Sequence, residues 1–117
     1  MRADFRLAII VSPDLPPGLV ANTVGAIGIG LGARRPHLGA ARRTDGDGRD
    51  FDISSNLPVP VLQASPEVIG AVLAKALPVP EDGAVVPFPA FARALHDYAD
   101  YEASFPERRL GDETIDG

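Results

Sequence analysis

"LAIIVSPDLPPGLVANTVGAIGIGLG", residues 7–32, contains the strongest local signals in the chain. Residues 5–12 are apolar and rich in β-branched side chains, which is typical of a strand covered on both faces. Asp14 then begins a turn, and Pro16 and Pro17 have the backbone angle that a helix start requires. Apolar residues recur at helical spacing from about residue 17 to residue 32. The stretch therefore predicts a buried strand, a turn and a helix.

The rest of the chain continues the alternation of strands and helices. "DGDG" at 45–48, between two short extended runs, predicts a β-hairpin. Residues 58–64 predict a second buried strand, whose prolines favour an end or edge position. Ser65 is the predicted N-cap of a helix with Pro66 at its first position. Three further predictions are a covered strand at 83–89, one helix over 90–105, and a tail, 106–117, without periodicity.

This order predicts an α/β fold in a single domain, residues 1–117, with three α/β/α layers around a mixed, mostly parallel sheet. Right-handed crossovers are expected at the parallel connections. The chain has 117 residues, 45% of them hydrophobic, and no cysteine. The absence of cysteine excludes disulfides and thiolate chemistry. Residues 15–33 carry no charge, but their prolines, glycines and Asn22 argue against a membrane span. A soluble, cytoplasmic protein is expected.

The net charge of −5 argues against broad nucleic-acid binding. Residues 1–50 sum to +2, and residues 51–117 sum to −7. The local exception is "RRPHLGAARR", which reads either as a solvated loop leading into the hairpin or as an anion-binding patch; its arginines are Arg34, Arg35, Arg42 and Arg43.

Four glycines, Gly25, Gly28, Gly30 and Gly32, raise the question of a phosphate-binding loop. A dinucleotide fingerprint requires its glycines in the turn between strand and helix, where backbone N–H groups meet the phosphates. Here the turn contains two prolines, and the glycines fall within the helix or at its end. The spacing instead predicts close packing of the helix, with Gly32 at its C-cap. No cofactor and no metal is predicted.

Candidate functional residues cluster after the first strand. Asp14 follows the carboxyl end of that strand, where ligands bind in open α/β sheets. Its carboxylate could act on a substrate as a base or an orienting group. The structural alternative is an aspartate that caps the helix or forms the turn. Asn22 reads as a hydrogen-bond partner of a substrate carbonyl or as a structural amide. Ser12 is adjacent, but no histidine near it in sequence supports a nucleophile.

"HDYADY", residues 96–101, provides a second polar group. On a continuous helix His96 and Asp100 would be i,i+4 neighbours, as would Asp97 and Tyr101. His96 is a candidate proton shuttle beside a carboxylate. The alternative is a solvated polar helix face.

The run "LAIIVSPDLPPGLVAN" resembles the first strand, turn and helix of class II peptidyl-tRNA hydrolases. It is more similar to a bacterial family of unknown function that shares the hydrolase fold. The resemblance rests on Asp14, Leu15, Pro16 and Asn22, and extends weakly through residues 57–77 and 84–98. It implies a peptidyl-tRNA hydrolase II-like fold, a homodimer, and substrate contacts near Ser12, Leu15 and Gly18.

The chain departs from the hydrolases in ways that affect the implied activity. Leu19 and prolines occupy the turn where those enzymes carry lysines. The strand with which that fold ends is not recognisable in this sequence, so that either the strand lies beyond residue 117 or the last sheet position is filled in another way. Hydrolysis of peptidyl-tRNA would require the four arginines named above to converge beside Asp14.

Three functions are compatible with the sequence. The first is a hydrolase or transferase acting on a small acyl- or amide-type metabolite through Asp14 and Asn22. The second is a non-catalytic module that binds a small molecule or a protein. The third is peptidyl-tRNA hydrolysis, which the resemblance suggests and the charge opposes.

Overall fold

The computed structural model describes residues 6–39, 41–95 and 97–117 and shows a mixed α/β protein. Strand β1 (Ile9–Val11) is followed by helix α1 (Pro17–Arg34), a hairpin of β2 (Arg42–Thr44) and β3 (Asp50–Asp52), and strand β4 (Val61–Gln63). Helices α2 (Pro66–Ala76), α3 (Ala90–Ala94) and α4 (Tyr98–Ser104) complete the regular elements. Short 3₁₀ turns cover Pro36–Leu38, Phe105–Glu107 and Leu110–Asp112.

Strand β1 lies at the centre of the hydrogen-bonded sheet. It pairs in parallel with β4, with Ile10 opposite Leu62. On its other side the N–H of Ser12 donates to the carbonyl of Asp116 over 2.8 Å. Residues 114–117 in turn hydrogen-bond to residues 88–90, through an antiparallel bridge between Pro89 and Ile115. Four short segments are therefore joined across the molecule.

Residues 114–117 of the tail, in which the sequence shows no periodicity, thus hydrogen-bond both to β1 and to residues 88–90. Ile115 is 1% exposed and Asp116 is 2% exposed. Pairing with residues 88–90 buries this segment, and a pattern search along four residues cannot detect such a long-range partner. Of the covered strand predicted at 83–89, the described structure retains this bridge at Pro89.

The core is small and lies between α1 and β1. Ile9, Val11 and Ile27 form its buried centre, and Val86 and Phe88 pack against them. Thr23, fully buried in α1, donates its hydroxyl hydrogen to the carbonyl of Leu19, so burial leaves its polar group satisfied.

Two local predictions are confirmed by cap and turn geometry. Ser65 caps α2, where its Oγ accepts from the N–H of Val68 at 3.3 Å. In the hairpin, Gly48 adopts a φ of +80°, which glycine reaches without steric cost. Asp45 accepts from the backbone N–H of Arg49 and from its side chain, and these hydrogen bonds lower the pKa of Asp45.

Three predictions about helices and strands are wrong. The helix over 90–105 is divided into α3 and α4, because Asp97 is extended and caps α4 by accepting from the N–H of Ala99. Strand β4 is at an edge, as its prolines suggest, but it is not buried, since Val61 and Leu62 are both about half exposed. Gly32 does not end α1, which runs to Arg34.

Of the four glycines in α1 for which close packing was predicted, only Gly30 has a close neighbour among the described residues. A Cβ atom at Gly30 would lie 3.0 Å from Cγ1 of Val86, so glycine permits the close approach there. Cβ atoms at Gly25, Gly28 and Gly32 would meet no atom within 4 Å. These three glycines therefore leave a face of small residues without a packing partner in the described part of the chain.

Candidate functional site

The first candidate site lies where β1 ends and α1 begins. The Oγ of Ser12 accepts from the N–H of Asp14 at 3.3 Å, which closes a tight turn directly after the strand. Ser12 is 2% exposed. The Ser12 hydroxyl is thus buried and engaged within the turn, and its predicted contact with a substrate stays a prediction.

Asp14 and Asn22 are both exposed at this end of α1. Pro16 occupies the N-cap, and no side chain caps the helix, so Asp14 is not the capping residue. Leu15 is half-buried beside it, and Gly18 is exposed in the first turn. The structure thus groups five of the six predicted site residues near one end of one helix. The sixth, His96, lies outside the described residues.

Of the two predicted pairs in the second polar group, the one between His96 and Asp100 involves a residue outside the described ranges. Asp97 is the N-cap of α4, and its backbone carbonyl accepts from the N–H of Tyr101 at 3.2 Å. Tyr101 instead joins an aromatic cluster, with ring centroids 5.7 Å from both Phe91 and Phe105. Burial, and to a lesser extent Tyr98, raises the pKa of Tyr101. Within the described ranges no group of three metal-ligating side chains occurs.

One polar pair near β1 is invisible in the sequence. The Nε of Arg93 donates to Oδ2 of Asp116 over 2.6 Å, and the Asp116 side chain is 3% exposed. The backbone carbonyl of Asp116 accepts from Ser12, so this ion pair adjoins the turn that contains Asp14. The two partners come from α3 and from a tail without periodicity, and no local signal links them.

The arginines of residues 34–43 do not converge beside Asp14. Arg34 and Arg35 are at the C-terminal end of α1, whose 18 residues span about 27 Å from the end near Asp14. The guanidinium of Arg35 donates to the carbonyls of Glu81 and Gly83, which ties down that loop. Arg42 and Arg43 are consecutive in β2 and point to opposite sides. The arrangement that peptidyl-tRNA hydrolysis requires is absent from the described residues.

The second candidate site is a groove of about 670 Å³ beside α2. Its walls are the helix, residues 79–87, and the 3₁₀ turn that leads to the tail. Most of the lining is apolar, with Leu73, Leu77 and Val85 among the side chains. Glu67, Asp112 and Glu113 contribute carboxylates, and no Lys or Arg lines the groove. Sequence patterns missed this site because it joins three segments that are far apart in the chain.

The carboxylates of the groove differ in how they are paired. Glu113 accepts from Arg108 at 3.2 Å, and Asp112 lies 3.9 Å from Arg109. Glu67, in the first turn of α2, makes no ion pair among the described residues. Its carboxylate is therefore available to a ligand at this end of the groove.

Fold and sites define a mixed α/β protein with a small sheet, a polar turn after β1 and an apolar groove beside α2. The chain belongs to a family of proteins of unknown function, DUF2000, whose model matches residues 5–117. A search of curated proteins gives no significant match. Among solved structures, a protein of unknown function from Agrobacterium tumefaciens strain C58, Atu0240, superimposes with a TM-score of 0.81 at 18% identity. The match covers 92% of this chain and 78% of that one.

The likeness to the Agrobacterium protein concerns the fold alone. Membership of a family of unknown function agrees with that part of the resemblance found in the sequence, whereas the link to the peptidyl-tRNA hydrolase II fold stays a prediction. No helix in the described ranges has the length and apolar composition needed to cross a lipid bilayer.

Proposed function

We propose that this chain is a binding protein for a small, mainly apolar molecule that carries a cationic or hydrogen-donating group. The observation that carries the proposal is the groove beside α2. Its volume of about 670 Å³ is within the range of small-molecule sites, which are apolar with a few polar groups that orient the ligand. Acidic side chains without lining cations favour a positive group over a negative one.

A comparison of two probes that differ in the sign of their charge tests the proposal. Phenethylamine and 3-phenylpropionate have similar apolar parts and opposite charges. Amide resonances of Gly70 and Gly111, which line the groove, are expected to shift with phenethylamine and to shift less with 3-phenylpropionate. Glu67→Gln is expected to weaken amine binding about fivefold, the effect of one exposed charge pair worth about 1 kcal/mol.

Filling the groove provides the matched control. Ala74→Trp places an indole in the groove, whereas Ala21→Trp adds the same bulk to the exposed face of α1. The first variant should lose binding and the second should keep it. Equal binding of both probes to all variants would refute the groove as a ligand site.

Catalysis at the turn after β1 is the second candidate function. The exposure of Asp14 and Asn22 at the carboxyl end of β1 supports a hydrolase or transferase acting on a small acyl- or amide-type metabolite. The three-layer, peptidyl-tRNA hydrolase II-like fold belongs to the same hypothesis, with Leu15 and Gly18 beside the substrate. The separation of the arginines from Asp14 disfavours peptidyl-tRNA itself.

Hydrolysis of N-blocked aminoacyl esters and amides distinguishes the two functions. The enzyme hypothesis expects turnover that Asp14→Asn abolishes and Asn22→Ala reduces, with little change in melting temperature because both side chains are exposed. Absence of turnover together with binding of phenethylamine would leave the binding protein as the function.

A further inference from the structure

The outer edge of β4 is apolar, uncharged and unpaired within the described residues. The order of the strands in its sheet is β1 and then β4, so one side of β4 faces no strand. Val61 is 46% exposed and Leu62 is 51% exposed. Because consecutive side chains of a strand point to opposite faces, both faces of β4 are about half exposed.

The hydrogen-bonding register leaves this outer edge ready to pair. The carbonyl of Pro60 accepts from Ile9, and the N–H of Ala64 donates to Val11, so these two residues point their backbone groups at β1. Backbone groups alternate along a strand, and those of Val61 and Gln63 therefore point outward. Pro60 is in the inward register, where its missing N–H does not interrupt the outer edge.

Among the residues that the structure describes, β4 lacks the usual protections of an exposed edge. Natural proteins block edges with charged side chains, with outward prolines or with covering elements. Residues 53–66 contain no Asp, Glu, Lys or Arg, although the chain as a whole carries a net charge of −5. Exposed apolar side chains continue onto α2, where Val68 is 51% exposed and Val72 is 43% exposed. A negatively charged chain can approach its own copy with the least repulsion at such a neutral surface.

The total surface is larger than that of a monomer of this mass. The chain exposes 8178 Å², whereas a monomeric protein of 12.3 kDa exposes about 6,100 Å². The radius of gyration is 16.0 Å, against about 13 Å for a compact domain of 117 residues.

We propose that β4 is the interface between two copies of this chain. A two-fold axis perpendicular to the sheet makes two β4 strands antiparallel, so that the outward N–H and C=O groups of Val61 and Gln63 pair with those of the second copy. The two sheets then form one continuous sheet. Leu62 then lies opposite its own counterpart on one face, and Val61 lies opposite Gln63 of the second copy on the other face.

Molar mass by light scattering during size exclusion tests the interface, with wild type expected at twice 12.3 kDa. Leu62→Arg places a charge on the exposed face of β4 and is expected to give monomers. Gln63→Pro removes an outward N–H without touching a bond to β1 and is also expected to give monomers. Ile29→Arg, at a side chain that is 77% exposed on α1, is the matched control and should stay dimeric.

Hydrogen exchange of the wild type provides a test that needs no variant. The amides of Val61 and Gln63 are expected to be protected at high protein concentration and to lose protection on dilution, while the amide of Ala64, bonded to Val11, keeps it. A wild type that is monomeric at every concentration overturns the proposal. So does a dimer that survives Leu62→Arg and Gln63→Pro but dissociates with Ile29→Arg, because its interface would be α1.

Discussion

Arg93 holds a buried carboxylate in place. With the Asp116 side chain 3% exposed and its Oδ2 2.6 Å from Nε of Arg93, removal of the guanidinium leaves a charge in an apolar setting. Loss of one partner of a fully buried pair costs about 3–5 kcal/mol. The Arg93 side chain is 33% exposed, so water partly replaces it and reduces the cost.

We therefore expect Arg93→Ala to lower the free energy of unfolding by about 1–3 kcal/mol in urea denaturation. Arg42→Ala, which removes an exposed partner of Asp52, is the matched control and should change it by less than about 0.5 kcal/mol. Adding Asp116→Asn to Arg93→Ala should restore part of the loss, because a neutral amide is cheaper to bury. Equal losses in the two arginine variants would contradict this account.

Tyr101 is expected to titrate above the ordinary tyrosine pKa of 10.0, because burial disfavours its phenolate. The folded state thus prefers the protonated form. The resulting stability is fully present below pH 10 and is lost as the pH rises through the raised pKa of Tyr101. The chain has two tyrosines, so ultraviolet absorbance of Tyr98→Phe reports Tyr101 alone. The same titration in urea should return to about 10; identical midpoints in the folded and unfolded chain would refute the effect of burial.

The glycines of helix α1 differ in whether the surrounding structure has room for a side chain. Alanine is favoured over glycine in a helix by about 1 kcal/mol. At Gly25 a Cβ atom enters open space, so Gly25→Ala is expected to raise the free energy of unfolding by about 0.5–1 kcal/mol. At Gly30 a Cβ atom would lie 3.0 Å from Val86. Gly30→Ala should therefore raise the free energy of unfolding by less than Gly25→Ala does, or lower it.

Thermal denaturation of both alanine variants measures the difference. In a Val86→Ala background the contact is removed. The change in stability caused by Gly30→Ala in that background should therefore be closer to the change caused by Gly25→Ala in the wild type. Equal stabilisation by the two single substitutions would show that the Val86 contact carries no cost.

Local signals predicted the elements whose causes are local. The proline start of α1, the Ser65 cap of α2 and the "DGDG" hairpin all act within a few residues. The division between α3 and α4 was missed because helical periodicity continues through Asp97, although its side chain caps the second helix. The exposure of β4 was also missed, because an apolar run predicts burial but does not identify the residues that would cover it.

The candidate sites show the same division. Ser12 and Asp14 are close in sequence, and their proximity in the structure could be predicted. The pair of Arg93 and Asp116 spans 23 residues, and the groove combines α2 with Val85 and Leu110. Such sites arise from packing between distant segments, for which a single sequence carries no direct signal.

At the scale of the whole molecule, the last described segment connects β1 to residues 88–90. Residues 114–117 bond to residues 88–90 on one side and to β1 on the other, and Ile115 is 1% exposed. Few other apolar side chains are buried among the described residues, so Ile115 contributes a large part of the buried apolar surface. Packing of the tail should therefore stabilise the whole protein rather than only its end.

Ile115→Ala is accordingly expected to lower the free energy of unfolding by about 2–4 kcal/mol, the cost of truncating a buried isoleucine. Val79→Ala, at a side chain that is 42% exposed, should cost less than about 1 kcal/mol. Urea denaturation measures both values. Amide exchange then separates two explanations: global destabilisation lowers the protection of Ile9 and Ile27 together with the tail, whereas local fraying lowers it at residues 114–117 only. The second outcome would contradict this account, because separation of residues 114–117 from β1 is expected to expose the core that β1 shares with α1.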